Sequence, residues 1–200
     1  MFGRGSAPHP DAVVPALQPG LAQRRPWLVR TGSWAGSGGG RERDDMGHFG
    51  FSYVGLLYLL MLFLPNIWWT KRQPSGYDPG GESPLLRWME RIGQVAVTTF
   101  ALIFSDFNWH RFTPWNLWLL ASFLLMVLYE LYWIRYFRSG RTLADFYGPF
   151  CGIPVPGASL PVASFLLLSV YGQVIWMAAA AVLLGVGHIG IHLQHLRQSR

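Results

Sequence analysis

The chain has 200 residues, of which 51% are hydrophobic, 16% aromatic and only 13% charged, with a formal net charge of +6. A soluble domain of this size carries about 25% charged residues, so the composition excludes a chain that clothes itself for water and suits one whose solvent is partly hydrocarbon. It disfavours a nucleic-acid binder, because a basic patch needs a polar scaffold. It also excludes a disulfide-stapled secreted domain, because Cys151 is the sole cysteine.

Residues 1–45 hold eight Gly and five Pro, a composition that stays disordered. From Met46 the character changes within three residues to His48-Phe49-Gly50-Phe51-Ser52-Tyr53 and an apolar run. Met46 is therefore a candidate start, with the upstream stretch translated only in annotation. The rival reading is a genuine tail whose Arg24-Arg25 resembles a twin-arginine export signal, although Thr31 to Gly40 is Gly/Ser-rich where that signal needs an apolar stretch.

A membrane span needs about 20 mostly apolar residues. Five segments qualify in chain order: residues 49–69, interrupted by Pro65-Asn66 near its end; 85–107; 115–137; 153–171, which begins among Pro154, Pro156 and Pro161; and 174–194, entered by a tight turn at Tyr171-Gly172-Gln173. Trp68, Trp69, Trp88, Trp109, Trp115 and Trp176 collect at the boundaries, as interfacial belts require. The expectation is an all-α, integral membrane bundle of five transmembrane helices over residues 46–200, behind a disordered tail. Past Met46, nine Lys/Arg fall on one set of alternate sides and only Arg111 on the other. Positive charge marks the cytoplasmic side, so the bundle reads N-out, C-in. The first span lacks a basic leader after Met46 and a small-x-small cleavage site, which makes it a retained anchor rather than a signal peptide.

Ionisable groups inside a span are costly and face the bundle interior, so each is a functional candidate. At 100° per residue, Glu90, Gln94, Thr98, Ala101 and Ser105 share one face of the second span, and Ala178, Ala181, Gly185, His188, His192 and His195 one face of the fifth. The small residues of that second set let a neighbouring helix approach. Counted from the outer boundaries, Glu90, Glu130 and His188 each lie about 22 Å down their helices, in one layer toward the cytoplasm with His192 a turn beyond. Such a layer suits proton or ion handling, because imidazole titrates near neutrality and a buried carboxyl moves toward it. Glu130, His188 and His192 also make a donor set for Zn or Fe, the chemistry of a metal-dependent intramembrane enzyme. The plainest alternative is an interhelical clasp with Glu130 hydrogen-bonded to His188. On the outer face, Asp106 and His110 with His48 nearby are candidates for a polar ligand or a metal. His48 and His110 are a less favoured axial pair for haem, and an Asn/Asp-rich interfacial turn needs no ligand at all.

The connection over 138–157 mixes aromatic residues with Gly and Pro and suits a segment that lies in the interface or folds back toward the Glu130/His188 layer. Cys151 within it reads as a small buried residue, since no basic neighbour activates it, with nucleophile and lipidation site as alternatives. There is no phosphate loop, Cys-x-x-Cys, His-Glu-x-x-His or Gly-x-Ser-x-Gly.

The runs Phe49 to Gly55, Ala101 to Asp106, Tyr129 to Ser139 and Gly187 to His192 resemble a family of small uncharacterised bacterial multi-pass membrane proteins, over about residues 46–195. The resemblance implies the bacterial cytoplasmic membrane and brings no activity. The His188-x-x-x-His192 pair is also similar to that of zinc-dependent membrane hydrolases of the ceramidase and adiponectin-receptor type, whose further ligands sit in other helices; here Asp106 and His110 fall on the opposite side of the bilayer. The reading is a membrane protein with a transport or ion- and proton-handling role, partnered by the lipid bilayer, with a metal-dependent enzyme as the alternative. A homo-oligomer is compatible with it.

Overall fold

Helix, rather than strand, builds all of the regular structure in the computed structural model, which describes residues 47–78 and 80–198. The expected tail and the candidate start at Met46 lie outside the described residues. The helices are α1 (Tyr53–Trp69), α2 (Pro84–Ile103), α3 (Asn116–Arg138), a short α4 (Leu143–Tyr147), α5 (Pro156–Gly172) and α6 (Ile175–Gln198). Each of the five expected apolar segments thus contains one long helix.

Their ends follow local chemistry. The first segment is helical only from Tyr53, because Ser52 caps α1 by accepting from the Gly55 N–H at 2.8 Å. Residues 48–52 instead run extended along the end of α2. There the Gly50 and Ser52 N–H groups donate to the Ile103 and Leu102 carbonyls at 2.8 and 3.0 Å. Those carbonyls belong to the last turn of a helix and have no partner within it, so the extended segment is what closes α2 at Ile103 rather than at Phe107. Pro84 and Pro156 open α2 and α5 at positions where the missing N–H costs nothing. Pro65 lies inside α1, and Asn66 beside it ties the helix to α3: its Nδ2 donates to the Leu62 carbonyl and to the Tyr129 hydroxyl, each at 2.7 Å. The turn expected at 171–173 is present, with Gln173 in the left-handed region at φ +55° and the Val174 N–H donating back to Ser169 O at 3.1 Å.

α6 packs along α2 and against α5, α5 packs against α3, and α1 makes light contacts with α2 and α3. The result is a ring of five helices. Small residues set its tightest crossings. Ser122 and Ser164, both fully buried, donate reciprocally to each other's carbonyls at 2.7 and 2.9 Å across α3 and α5, the small-residue approach that helices use in hydrocarbon. Gly93 and Gly187 do the same for α2 and α6: a Cβ at Gly187 would lie 2.4 Å from the Glu90 nitrogen, and one at Gly93 would lie 2.6 Å from the Leu184 backbone.

α4 is held by a capping box in which the Thr142 hydroxyl accepts from the Asp145 N–H at 3.1 Å and the Asp145 carboxylate accepts from the Thr142 N–H at 3.0 Å. The Thr142 backbone and hydroxyl hold the Asp145 carboxyl below its usual range. The stabilisation from this depressed group is present above the ordinary carboxyl value of about 3.9 and is lost as pH falls through the lower folded value. Thr142→Ala is expected to cost about 1 kcal/mol and to raise the Asp145 pKa toward the ordinary value, as thermal unfolding across pH 3 to 7 would show.

Candidate functional site

α2 and α6 run antiparallel in a register that stacks carboxylates against imidazoles along their seam. Glu90, two turns into α2, places Oε1 2.5 Å from His188 Nδ1 on α6. Two turns toward the other end of the seam, Glu82 Oε1 lies 3.1 Å from His195 Nε2. The side chains are mostly sheltered: His188 and Glu90 retain 24% and 19% of their exposure, His195 and Glu82 8% and 13%. His192 sits between the two rungs with its ring centroid 4.6 Å from that of His188. The glycine crossing makes this possible, because at Gly187 the α6 backbone lies directly against Glu90 and Leu86.

The 138–157 connection folds over the His192 and His195 end of this seam. α4 lays Phe146 and Tyr147 over the histidines, with Tyr147 5.6 Å from His192 and stacked 5.8 Å from His195. Tyr77, from the loop after α1, completes the cover 5.8 Å from His195. Burial raises the Tyr77 phenol, helped by the Glu82 and Glu90 carboxylates, and burial with Tyr77 and Glu82 raises Tyr147. Both phenols therefore stay protonated at neutral pH and can donate.

At its other end the seam meets a cleft of about 240 Å³ inside the helix ring. Its polar lining comes from Asn66 on α1, Gln94 and Thr98 on α2, Tyr129 on α3 and His188 on α6. Gln94 Nε2 donates to Glu90 Oε1 at 3.4 Å, so cleft and seam share one polar group. Of the expected face of Glu90, Gln94, Thr98, Ala101 and Ser105, Gln94 and Thr98 line the cleft and Ala101 is buried, whereas Ser105 lies beyond α2 and donates to the His48 carbonyl.

Glu130 does not join. His188 is paired with Glu90, so the Glu130–His188 clasp is replaced by a Glu90–His188 contact. Tyr129 reaches the cleft, but Glu130, one residue on, is turned about 100° away. It lies on the stripe of Phe123, Val127 and Ile134, all half-buried or exposed, and its buried Oε1 has no hydrogen-bond partner. Among the described residues no group of three or more His, Cys, Asp or Glu side chains converges as a metal site, so Glu130, His188 and His192 do not form one donor set.

At the opposite end of the bundle, Asp106 is held by His48: the His48 N–H donates to Oδ2 at 2.6 Å and Nδ1 lies 2.7 Å from Oδ1. Asn108 ties the same turn to α1, its Oδ1 accepting from the Tyr53 N–H at 2.9 Å and its Nδ2 donating to Phe51 O at 2.9 Å. His110 lines a groove with Asp106, while the imidazole bonded to Asp106 is that of His48. This cluster explains itself as the lock between the extended 48–52 segment and the α2–α3 loop.

Glu82, Tyr77 and Tyr147 were not singled out from the sequence. Glu82 stands in Gly80-Gly81-Glu82-Ser83-Pro84 and reads as loop. The usable signal was spacing: Glu82 to Glu90 and His188 to His195 are each close to two helical turns, as an antiparallel ladder requires. Comparison with known proteins adds no analogy to this site, since no protein family, curated protein or solved structure matches the chain.

Proposed function

We propose that the chain is a five-span protein of the bacterial cytoplasmic membrane, N-out and C-in, that handles protons through the α2–α6 seam. α3 and α6 are long and apolar enough to cross a membrane, and α1 and α5 are shorter apolar helices of 17 residues. Leu60, Leu64 and Ile67 on α1, Leu117 and Leu124 on α3, and Val182 and Val186 on α6 are exposed, an apolar surface that water does not tolerate at this extent and a lipid solvent does. Lys71, Arg72, Arg135, Arg138, Arg141 and Arg197 gather at the end of the ring that carries α4, and Arg111 at the other, which supports the orientation.

The observation that carries the function is a row of titratable groups from the α4 end to the cleft, hydrogen-bonded at its two ends and in ring contact through Tyr147 and His192 between them. Glu82 and His195 face the loops, Tyr147 and His192 follow in ring contact, and His188 with Glu90 opens on Gln94 and the cleft. An imidazole passes a proton by accepting on one nitrogen and releasing from the other, and a carboxylate in hydrogen-bond contact takes or returns it. Among the described residues the metal-dependent alternative finds no converging third donor.

Full-length protein in liposomes with an internal pH dye and a potassium/valinomycin potential tests the reading. Proton influx is expected above that of empty liposomes, to fall about a hundredfold in Glu90→Gln, and to persist in Glu130→Gln. Influx no faster than in empty liposomes, or unchanged by Glu90→Gln, contradicts it.

A further inference from the structure

The cleft at the end of the seam is lined by side chains whose hydrogen-bonding sense is already fixed. Asn66 Nδ2 uses both of its hydrogens, on Leu62 O and on Tyr129 Oη, each at 2.7 Å. The amide orientation follows, and Oδ1 is the atom left over. Glu90 Oε1 accepts from Gln94 Nε2 at 3.4 Å and lies 2.5 Å from His188 Nδ1. A carboxylate oxygen only accepts, so the hydrogen of the neutral His188 ring sits on Nδ1 and Nε2 keeps a bare lone pair. Both leftover atoms are acceptors, and both can be reached. Among the described residues the buried side-chain N and O atoms without a partner are Tyr58 Oη, Trp69 Nε1, Asn116 Nδ2, Glu130 Oε1 and Trp133 Nε1. Asn66 Oδ1 and His188 Nε2 are unpartnered too but fall outside that buried set, so they retain accessible surface. The His188 side chain keeps 24% of its exposure.

The mouth of the cleft lies between α1 and α2, which touch only lightly. Phe63 on α1 and Gln94 on α2 line the cleft and are both exposed. On the five-span reading this mouth opens into hydrocarbon, so a ligand arrives through the lipid. The rest of the wall is apolar, with Phe63 and Phe165 offering ring faces. The volume of about 240 Å³ is below the roughly 300 Å³ at which drug-sized sites begin, which suits a single ring.

We infer that the cleft binds the head of a membrane quinol, one ring with two hydroxyls, whose apolar tail leaves between α1 and α2. The two free acceptors stand on different helices, Asn66 Oδ1 on α1 and His188 Nε2 on α6, and a quinol brings a hydroxyl to each. The quinone form and an ester lipid bring acceptors alone and would leave both unmet; a fatty acid brings a single O–H. The hydroxyl on His188 puts an ionisable O–H against the last nitrogen of the seam. This ligand deepens the proton-handling reading and rests on its membrane placement, which makes the α1–α2 mouth a lipid entrance.

The test is isothermal titration of the full chain in detergent, under argon, with decylubiquinol, decylubiquinone and the dimethyl ether of the quinol, which keeps ring and tail but has no O–H. Monodecanoylglycerol, a diol without a ring, is the fourth probe. One equivalent of the quinol is expected to bind, about tenfold more tightly than the quinone or the ether. His188→Leu is expected to weaken quinol binding about fivefold and to leave the ether unchanged, a coupling that a merely structural loss does not produce. Should His188→Leu fail to fold, the ligand series decides alone. Equal binding of the quinol and its ether, or equal weakening of both by His188→Leu, overturns the site. Monodecanoylglycerol bound as tightly as the quinol overturns the ring assignment. Alkaline carbonate extraction separates these failures from that of the membrane reading: chain that stays in the pellet without preference for the quinol refutes the ligand alone, and chain released to the supernatant refutes both. Proton influx that still falls in Glu90→Gln leaves the seam standing whichever probe binds.

Discussion

Gly187→Ala is expected to destabilise the protein by about 2 kcal/mol and to separate Glu90 from His188. The added methyl would lie 2.4 Å from the Glu90 nitrogen, 2.6 Å from the Leu86 carbonyl oxygen and 2.8 Å from the Glu90 Cα. All three obstacles are backbone of α2, so no rotamer change relieves them and the helices must part. Overpacking of this kind costs about 1–3 kcal/mol, and the unyielding neighbour places it at the top of that range. The gain of about 1 kcal/mol in intrinsic helix propensity for Gly→Ala is outweighed. Thermal unfolding in detergent would read a fall of about 6 °C, and proton influx should fall with it, because the 2.5 Å Glu90–His188 contact depends on this crossing. Unchanged stability would mean that α2 and α6 do not meet at Gly187.

Gly55→Ala is expected to be the most damaging single-methyl substitution, at about 4 kcal/mol. The new Cβ would stand 1.7 Å from the Ala101 carbonyl oxygen and 3.0 Å from Ser52 Oγ. Retreat of α1 breaks the Ser52 N-cap, worth about 1 kcal/mol, on top of the overpacking term. It also pulls the Gly50 and Ser52 donors off the Ile103 and Leu102 carbonyls, which leaves the end of α2 unpaired. This crossing fixes α1 at one end, while Asn66 and Tyr129 hold it farther along. Unfolding of Gly55→Ala beside Gly55→Ser in the same detergent would check the steric cause: serine, larger still, should be no better. A stability equal to wild type would place α1 elsewhere.

The run of helices was legible because apolar length is written directly in composition: each of the five segments holds one long helix, and Pro84, Pro156 and Gln173 mark ends where chain geometry demands them. Depth was legible only in part: a rise of about 1.5 Å per residue places Glu90, Glu130 and His188 in one layer, and Glu90 meets His188 across the seam while Glu130 does not join them. Rotation was not. Which face of α3 turns inward is decided by Ser122 against Ser164 and by the Tyr129–Asn66 bond, both contacts between remote segments, and they turn Glu130 outward. The same limit hid the His48–Asp106 bond, which spans 58 positions and exists because α2 needed partners for its last carbonyls. Glu82 escaped notice for a different reason: it stands outside the apolar run and joins the seam through register rather than hydrophobic pattern.

Labelling of cysteine from one side of the membrane tests the central claim, a five-span bundle with the Glu/His seam at its cytoplasmic end. Cys151, the sole cysteine, is exposed a few residues past α4, not buried as the sequence suggested. Phe112, at the opposite end, is 85% exposed and accepts Phe112→Cys in a Cys151→Ser background. With a membrane-impermeant maleimide on intact spheroplasts, the account predicts that Cys151 reacts only after permeabilisation and that Phe112→Cys reacts before it. Labelling of both positions from the same side, or of Cys151 from outside, would contradict it.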